Sequence, residues 1–267
     1  MGMNLFFREL KSHRKGLFFW CIGMIALVGS GMAKFAAYQD NGFSFNQLLD
    51  QFPRSVQIIF GLNGLDLTKA SGFYGVLFLY IALMAAVHAA LLGAEIIAKE
   101  ERDRTTEFLF VRPISRARII TSKLTAGLCN LVILNLVTLV SSILFVDYSN
   151  KGSSVTKDIL VLMAGLFFLQ LIFFFIGMAV AAVNKKPKTS ASLATSVLLS
   201  TFILSYLIDF NSKLDALKYF TPFKYFDARV LVASGKLDPV YVAISLIIIA
   251  ALTFITYSSY RKRDLGV

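Results

Sequence analysis

Between Glu100 and Arg116 the chain reads EERDRTTEFLFVRPISR, with four acids and four bases in 17 residues and Phe108, Leu109 and Phe110 threaded among them. Apolar anchors inside a mixed-charge rim are the composition of a docking plug, in which the anchors fill a pocket and the charges set orientation. Thr105 or Thr106 can cap a short helix whose first turn carries Glu107, where a negative charge complements the helix dipole. Pro113 disfavours helical backbone at Arg112, so that helix ends there. A loop helix lying on lipid headgroups has a similar apolar content and is the competing reading. Headgroup attraction accounts only for the bases, whereas the interspersed acids favour a protein surface.

Other reactive groups are sparse. His13 and His88 are the two histidines, with no second ligand close in sequence, and the chain has neither a nucleophile elbow nor an H-E-x-x-H motif. A phosphate loop of the form G-x-x-x-x-G-K-[ST] is also missing, since GLNGLDLTK at Gly61 to Lys69 has the wrong spacing. The chain is therefore read as a non-enzyme that binds no cofactor of its own. Cys21 and Cys129 both fall in apolar segments and read as small core hydrophobes rather than as a disulfide or a ligand pair.

The elements that must hold the charged stretch are membrane spans. The chain is 57% hydrophobic and 16% charged, with 25 phenylalanines, well outside the range of soluble domains. A net charge of +11 could point to nucleic acid, but the bases sit in short clusters between apolar segments, with no basic face interleaved with aromatics. Six segments are long enough to cross ~30 Å of hydrocarbon: Leu17 to Tyr38, Gly72 to Ala98, Leu124 to Val146, Ile159 to Val183, Ala191 to Phe210 and Val240 to Tyr257. The expected fold is an all-α integral membrane bundle forming one domain over residues 1–267.

An even number of spans puts both termini on one side. With that side cytoplasmic, the inner segments carry the basic clusters before Gly16, from Lys99 to Lys123, at Lys185, Lys186 and Lys188, and from Arg261 to Arg263. That is the larger share of the Lys and Arg, and it orients a multi-pass protein of the cell membrane with both termini inside. The basic start and first apolar run resemble a secretory signal, but Lys34 interrupts the cleavage region and further spans follow, so the first span is read as retained.

Local chemistry fills in the connections. Residues 1–16 read as an interfacial helix, with Met3, Phe6, Phe7 and Leu10 on one face and Arg8, Lys11 and Lys15 on the other. The second span extends past the bilayer to about Arg104, and Glu95 and Lys99 form an i, i+4 pair there. On the outer side, Ser44 and Gln47 have capping-box spacing, Pro53 opens a short helix that Gly61 closes, and Thr221-Pro222 opens another that Gly235 ends. Asp238-Pro239 caps the last span.

Within the spans, His88 lies among Ala85, Ala86, Ala89 and Ala90, either as a functional ionisable group or as a neutral histidine bonded to a neighbouring helix. Asn135 and Gln170 read as interhelical hydrogen-bond partners. Ser192, Ser196 and Ser200 recur every four residues on the fifth span, as a close-packing face or as the wettable wall of a pathway.

These residues carry a family resemblance. Six spans, an amphipathic start, AKEERDRTTEFLFVRPISRARIITSK at Ala98 to Lys123, and YRKRDL at Tyr260 to Leu265 resemble the permease subunits of ABC-2 type transporters. The most specific part is the E-x-L-x-x-x-P-x-S-R core at Glu107, Leu109, Pro113, Ser115 and Arg116; the weaker marks are Phe52-Pro53 and Pro222 to Phe226. Many members carry glycine where Thr105 stands. The resemblance implies that this loop holds a coupling helix seated in a groove of a separate ATP-hydrolysing subunit. It assigns docking to Arg102, Asp103, Arg104, Glu107, Phe108 and Arg112, and the exit of the helix to Pro113 and Arg116.

By the same resemblance the permease works with two ATPase subunits, which bind the ATP and Mg, and with a second copy or a related permease. Spans two and five then line the pathway. The expected cargo is an antimicrobial or other amphipathic peptide, or a hydrophobic drug, because the pathway candidates offer hydroxyls and small residues. Two other readings are a membrane scaffold or sensor that docks a cytoplasmic protein, and an ion-coupled secondary transporter. The last is opposed by the lack of carboxylates at the span centres.

Overall fold

The computed structural model describes residues 2–40, 52–62, 64–103, 115–150 and 154–262. Among them are six helices long and apolar enough to cross a membrane: α1 (Gly2–Asp40), α3 (Ala70–Arg102), α4 (Arg116–Ser149), α5 (Thr156–Val183), α6 (Ser190–Phe210) and α9 (Pro239–Lys262). Three short α-helices are also found among the described residues: α2 (Arg54–Ile59), α7 (Pro222–Tyr225) and α8 (Ala228–Ser234). Successive spans run antiparallel, so the first and last described residues share one end of the bundle, here called the terminal end. The connections at 40–70, 149–156 and 210–239 share the far end.

The helices outrun the apolar segments that mark them. α1 continues from Gly2 through Gly16 without a break, so the described part of the expected interfacial helix, residues 2–16, is continuous with the first span. A single interior glycine costs a helix only about 1 kcal/mol, and no proline interrupts the run. On that first stretch Leu5 and Glu9 are buried, Phe6 and Leu10 lean on the core, and Phe7 is turned out.

α3 and α5 form the spine of the bundle, and the reason is residue size. A Cβ added at Gly93 would lie 2.1 Å from the carbonyl oxygen of Phe174, and one at Gly177 would lie 2.3 Å from that of Ala90. Only glycine lets the two backbones approach so closely, which is how helices associate where lipid is as apolar as leucine. Ala85, Ala86, Ala89, Ala90 and Ala94 are fully buried on the same helix. α1 packs along α4, and α9 lies against α5. Within their most apolar windows α3 and α5 are each 61% buried, against 22% for α6 and 11% for α9, which leaves the last two facing outward.

Between α3's neighbours, Asn135 on α4 donates to Gln170 on α5 at 3.1 Å and to the Met163 carbonyl at 3.3 Å. The two amides expected as interhelical partners thus serve each other. Cys21 and Cys129 are free and half-buried.

The far-end caps follow local rules, with one revision. Pro53 precedes α2 and Gly61 follows it in the left-handed region at φ 68°. Val240 donates to the Asp238 carboxylate at 2.8 Å, capping α9. The single helix expected between Pro222 and Gly235 is two helices. Asp227 breaks it, because its side chain accepts from the Arg229 amide at 3.0 Å and starts α8 afresh. A 3₁₀ helix at Ser212–Phe220 precedes them. The capping pair Ser44 and Gln47 lies outside the described residues.

Candidate functional site

The charged stretch leaves the bundle at the terminal end, between the C-terminus of α3 and the N-terminus of α4. Arg104, Glu107, Phe108, Arg112 and Pro113 lie outside the described residues, as do Thr105, Thr106, Leu109 and Phe110. What is described is the frame from which that loop departs.

On the outgoing side, Arg102 bonds back to Glu95 at 3.3 Å and sideways to Asp103 at 3.1 Å. This replaces the expected Glu95–Lys99 pair; the Lys99 ammonium instead donates to the Ser12 hydroxyl on α1. The guanidinium has five donors and can serve two carboxylates at once, whereas Lys99 is close enough to α1 to satisfy a neutral partner there. On the returning side, Ser115 caps α4 by accepting from the Arg118 amide at 3.4 Å. Arg116 then reaches across to donate to the Arg261 carbonyl at 3.0 Å, satisfying an orphan acceptor at the C-terminus of α9. Thr121 and Tyr257 share a hydrogen bond at 2.8 Å on the same interface. Arg102, Asp103 and Arg116 are therefore brought to one end of the bundle.

Deeper in the frame is a buried ion pair that sequence reasoning missed. Lys123 is fully buried on α4; its ammonium donates to the Glu100 carboxylate and to the Ile96 carbonyl of α3. Arg8 of α1 donates to the other oxygen of Glu100 at 3.4 Å and to Glu9 at 3.1 Å. A signal was available: Ile119, Lys123, Ala126 and Asn130 fall on one helical face, so the lysine stands in a buried stripe.

The pathway candidates are spread apart. His88 is buried and sits edge-on to the Trp20 ring at 5.3 Å, with its Nδ1 lacking a hydrogen-bond partner. It packs against α1 on the side of α3 away from the α5 contact. Ser192, Ser196 and Ser200 are all exposed on α6. Ser196 donates to the Ser192 carbonyl at 2.9 Å and Ser200 to the Ser196 carbonyl at 2.8 Å. The stripe therefore faces away from its own bundle, and the close-packing reading does not hold within one chain.

A second ionic group closes the far end, again unforeseen. Asp209, at the end of α6, accepts from Lys224 of α7 at 2.6 Å and from Arg229 of α8 at 3.1 Å. Asp227 lies between the same two bases, 3.5 Å from Lys224 and in a charge-assisted bond with Arg229. Burial pushes the Asp227 carboxyl up, but the Arg229 hydrogen bond and charge, with Lys224, outweigh it and hold the group below the usual carboxylate range. The hydrogen bond to Asp227, with both aspartate charges, holds the Arg229 guanidinium still further above its ordinary value against a burial penalty. Thr221 adds a bond to the Thr201 carbonyl of α6 at 2.8 Å. Beneath the group is a cavity of about 60 Å³, bounded on its apolar side by Phe78, Leu79 and Leu169.

Six antiparallel spans, a charged loop hung from ion-paired stems and a second ionic group at the far end define a multi-pass α-helical membrane protein. The family model described as ABC-2 family transporter protein matches residues 3–265, and the chain belongs to that family of membrane transport subunits. No curated protein matches the chain.

Proposed function

We propose that the chain is the permease subunit of an ATP-driven exporter, that its 104–114 loop carries the coupling helix for a separate ATPase, and that two permease chains enclose the pathway. The observation that supports this best is the outward serine stripe on α6. A hydroxyl bonded to the carbonyl one turn back has its donor satisfied and so can face an apolar neighbour. It also keeps acceptor capacity for a cargo or a second permease. Peptides and drugs with mixed polar and apolar surface suit such a wall, and they are the proposed cargo. The terminal end is then cytoplasmic, in keeping with its basic clusters. ATP and Mg belong to the partner.

The test is made on the complex with its two ATPase subunits. Phe108→Ala removes the apolar anchor, and loss of a true anchor commonly costs at least ~2 kcal/mol of docking. Glu107→Lys reverses one rim charge. Both variants are expected to insert normally, yet to recover less ATPase on purification or to hydrolyse ATP without transport. If the loop instead lies on headgroups, Glu107→Lys strengthens its attachment to anionic vesicles and leaves recovery intact. Full recovery and full coupled transport in both variants would remove these residues from the joint.

A further inference from the structure

Lys123, Glu100 and Arg8 tie together three helices at the root of the charged loop. Glu100 lies three residues before Asp103, and Lys123 lies seven residues after Arg116. At 1.5 Å of rise per residue the tie is within about 5 Å of one end of the loop and about 11 Å of the other. Lys123 inserts its ammonium between the Ile96 carbonyl and the Glu100 carboxylate, near the C-terminus of α3, where the helix dipole favours a cation. The Glu100 carboxylate is thereby engaged on both oxygens, one from α4 and one from α1.

Stability alone is a poor reason to keep such a pair. Replacing a buried ion pair by apolar residues of similar volume is often neutral or stabilising, whereas removing one partner is costly. In some proteins what a buried pair supplies is a fixed register between the elements that carry it. Here those elements are the two stems of the loop and the first span.

We infer that Arg8, Glu100 and Lys123 are positioning residues that make the two stems and α1 move as one body, so that displacement of the loop is passed to the spans rather than absorbed at its root. This rests on the exporter reading above. In that role the residues touch neither nucleotide nor cargo. They convert a hinged attachment into a stiff one, as a lever requires at its fulcrum.

The experiment uses the permease with its ATPase subunits in lipid vesicles. It reads thermal stability, ATPase recovery and cargo moved per ATP hydrolysed. Wild-type protein that recruits no ATPase would refute the exporter reading itself. With coupled wild type in hand, Glu100→Met combined with Lys123→Met is expected to keep stability and recovery while cargo per ATP falls about ten-fold, the scale of a typical coupling between sites. Lys123→Arg, which keeps the charge and the donors, is expected to stay near wild type. Unchanged cargo per ATP in the double variant overturns the inference. So does a loss of coupling that only follows a loss of stability, shared by Lys123→Arg. Should the double variant fail to fold, Arg8→Ala decides, because that side chain is half-exposed and not needed to fill the core. Unchanged cargo per ATP there overturns the inference as well.

Discussion

Replacing Asp209 by Asn should loosen the far-end helices from α6, by an amount that follows from the exposure of the group. Its carboxylate holds Lys224 at 2.6 Å and Arg229 at 3.1 Å, and the four side chains are between 11% and 25% exposed. Fully exposed pairs contribute about 0–1 kcal/mol, whereas breaking a buried one costs about 3–5 kcal/mol. A group this deep lies between, at about 2–3 kcal/mol for Asp209→Asn, since Asp227 remains to hold the same two bases. The cost appears as local opening of α7 and α8 rather than as global unfolding. Ala228 is buried at the start of α8 and makes a reporter as Ala228→Cys, in a background where Cys21 and Cys129 are replaced by alanine. If labelling requires opening, each 1.4 kcal/mol is a factor of ten, so thiol modification should run about 30 to 150 times faster with Asp209→Asn. A labelling rate within about two-fold of the parent would refute the idea that this group holds the segment down.

Two further outcomes are expected. Asp227 has a depressed carboxyl, so its contribution to holding the far end is complete above its unfolded value of 3.8 and is lost as pH falls through the lower folded value. Ala228→Cys labelling, taken relative to a fully exposed cysteine at the same pH so that the falling thiolate fraction cancels, should therefore be flat from neutral pH down to about pH 4 and rise only below it, and a rise centred near pH 6 would contradict the assignment. At the spine, Gly177→Ala puts a methyl 2.3 Å from the Ala90 carbonyl, where backbone on both sides must part. A destabilisation of at least about 1–3 kcal/mol is expected, and it would appear as a large fall in the melting temperature of detergent-solubilised protein.

Much of the architecture was legible because a span needs about 20 apolar residues and nothing else in the chain imitates that. Each of the six segments became a helix, and each edge that moved did so outward. The chain keeps its helical hydrogen bonds past the hydrocarbon wherever no proline or competing cap intervenes, as at Gly16 in α1. Caps made of one residue and its neighbour were legible for the same reason: Pro53, Gly61, Gly235 and Asp238 act locally. The break at Asp227 was not legible, because aspartate can sit inside a short helix or restart one, and its bond to the Arg229 amide decides for restarting. Pairings between helices were harder. Glu95 has Lys99 one turn away, yet the preference passes to Arg102 once Ser12 offers Lys99 a partner from another helix. The four-residue spacing of Ser192, Ser196 and Ser200 was visible, but spacing names a face without saying what the face looks at.

The distribution of ties has a mechanical consequence. α3 and α5 meet backbone to backbone at Gly93 and Gly177, so any sliding between them must first open a contact with no side chain to yield. α6 is held differently at its two ends. At the far end Asp209 binds it to two bases on α7 and α8. At the terminal end the described ties are neutral: Asn184 donates to the Thr189 hydroxyl at 3.0 Å and to the Ser190 hydroxyl at 3.1 Å. A neutral hydrogen bond contributes a net of about 1 kcal/mol, and water at a membrane surface can replace it. Along its length α6 buries Ala194 and Leu198 against the bundle and leaves Ser192, Ser196 and Ser200 outside. Side-chain contacts of that kind can re-form after a small shift, unlike the glycine contact of the spine. The contact between the terminal end of α6 and the bundle therefore resists a shift less than the glycine contact between α3 and α5 does.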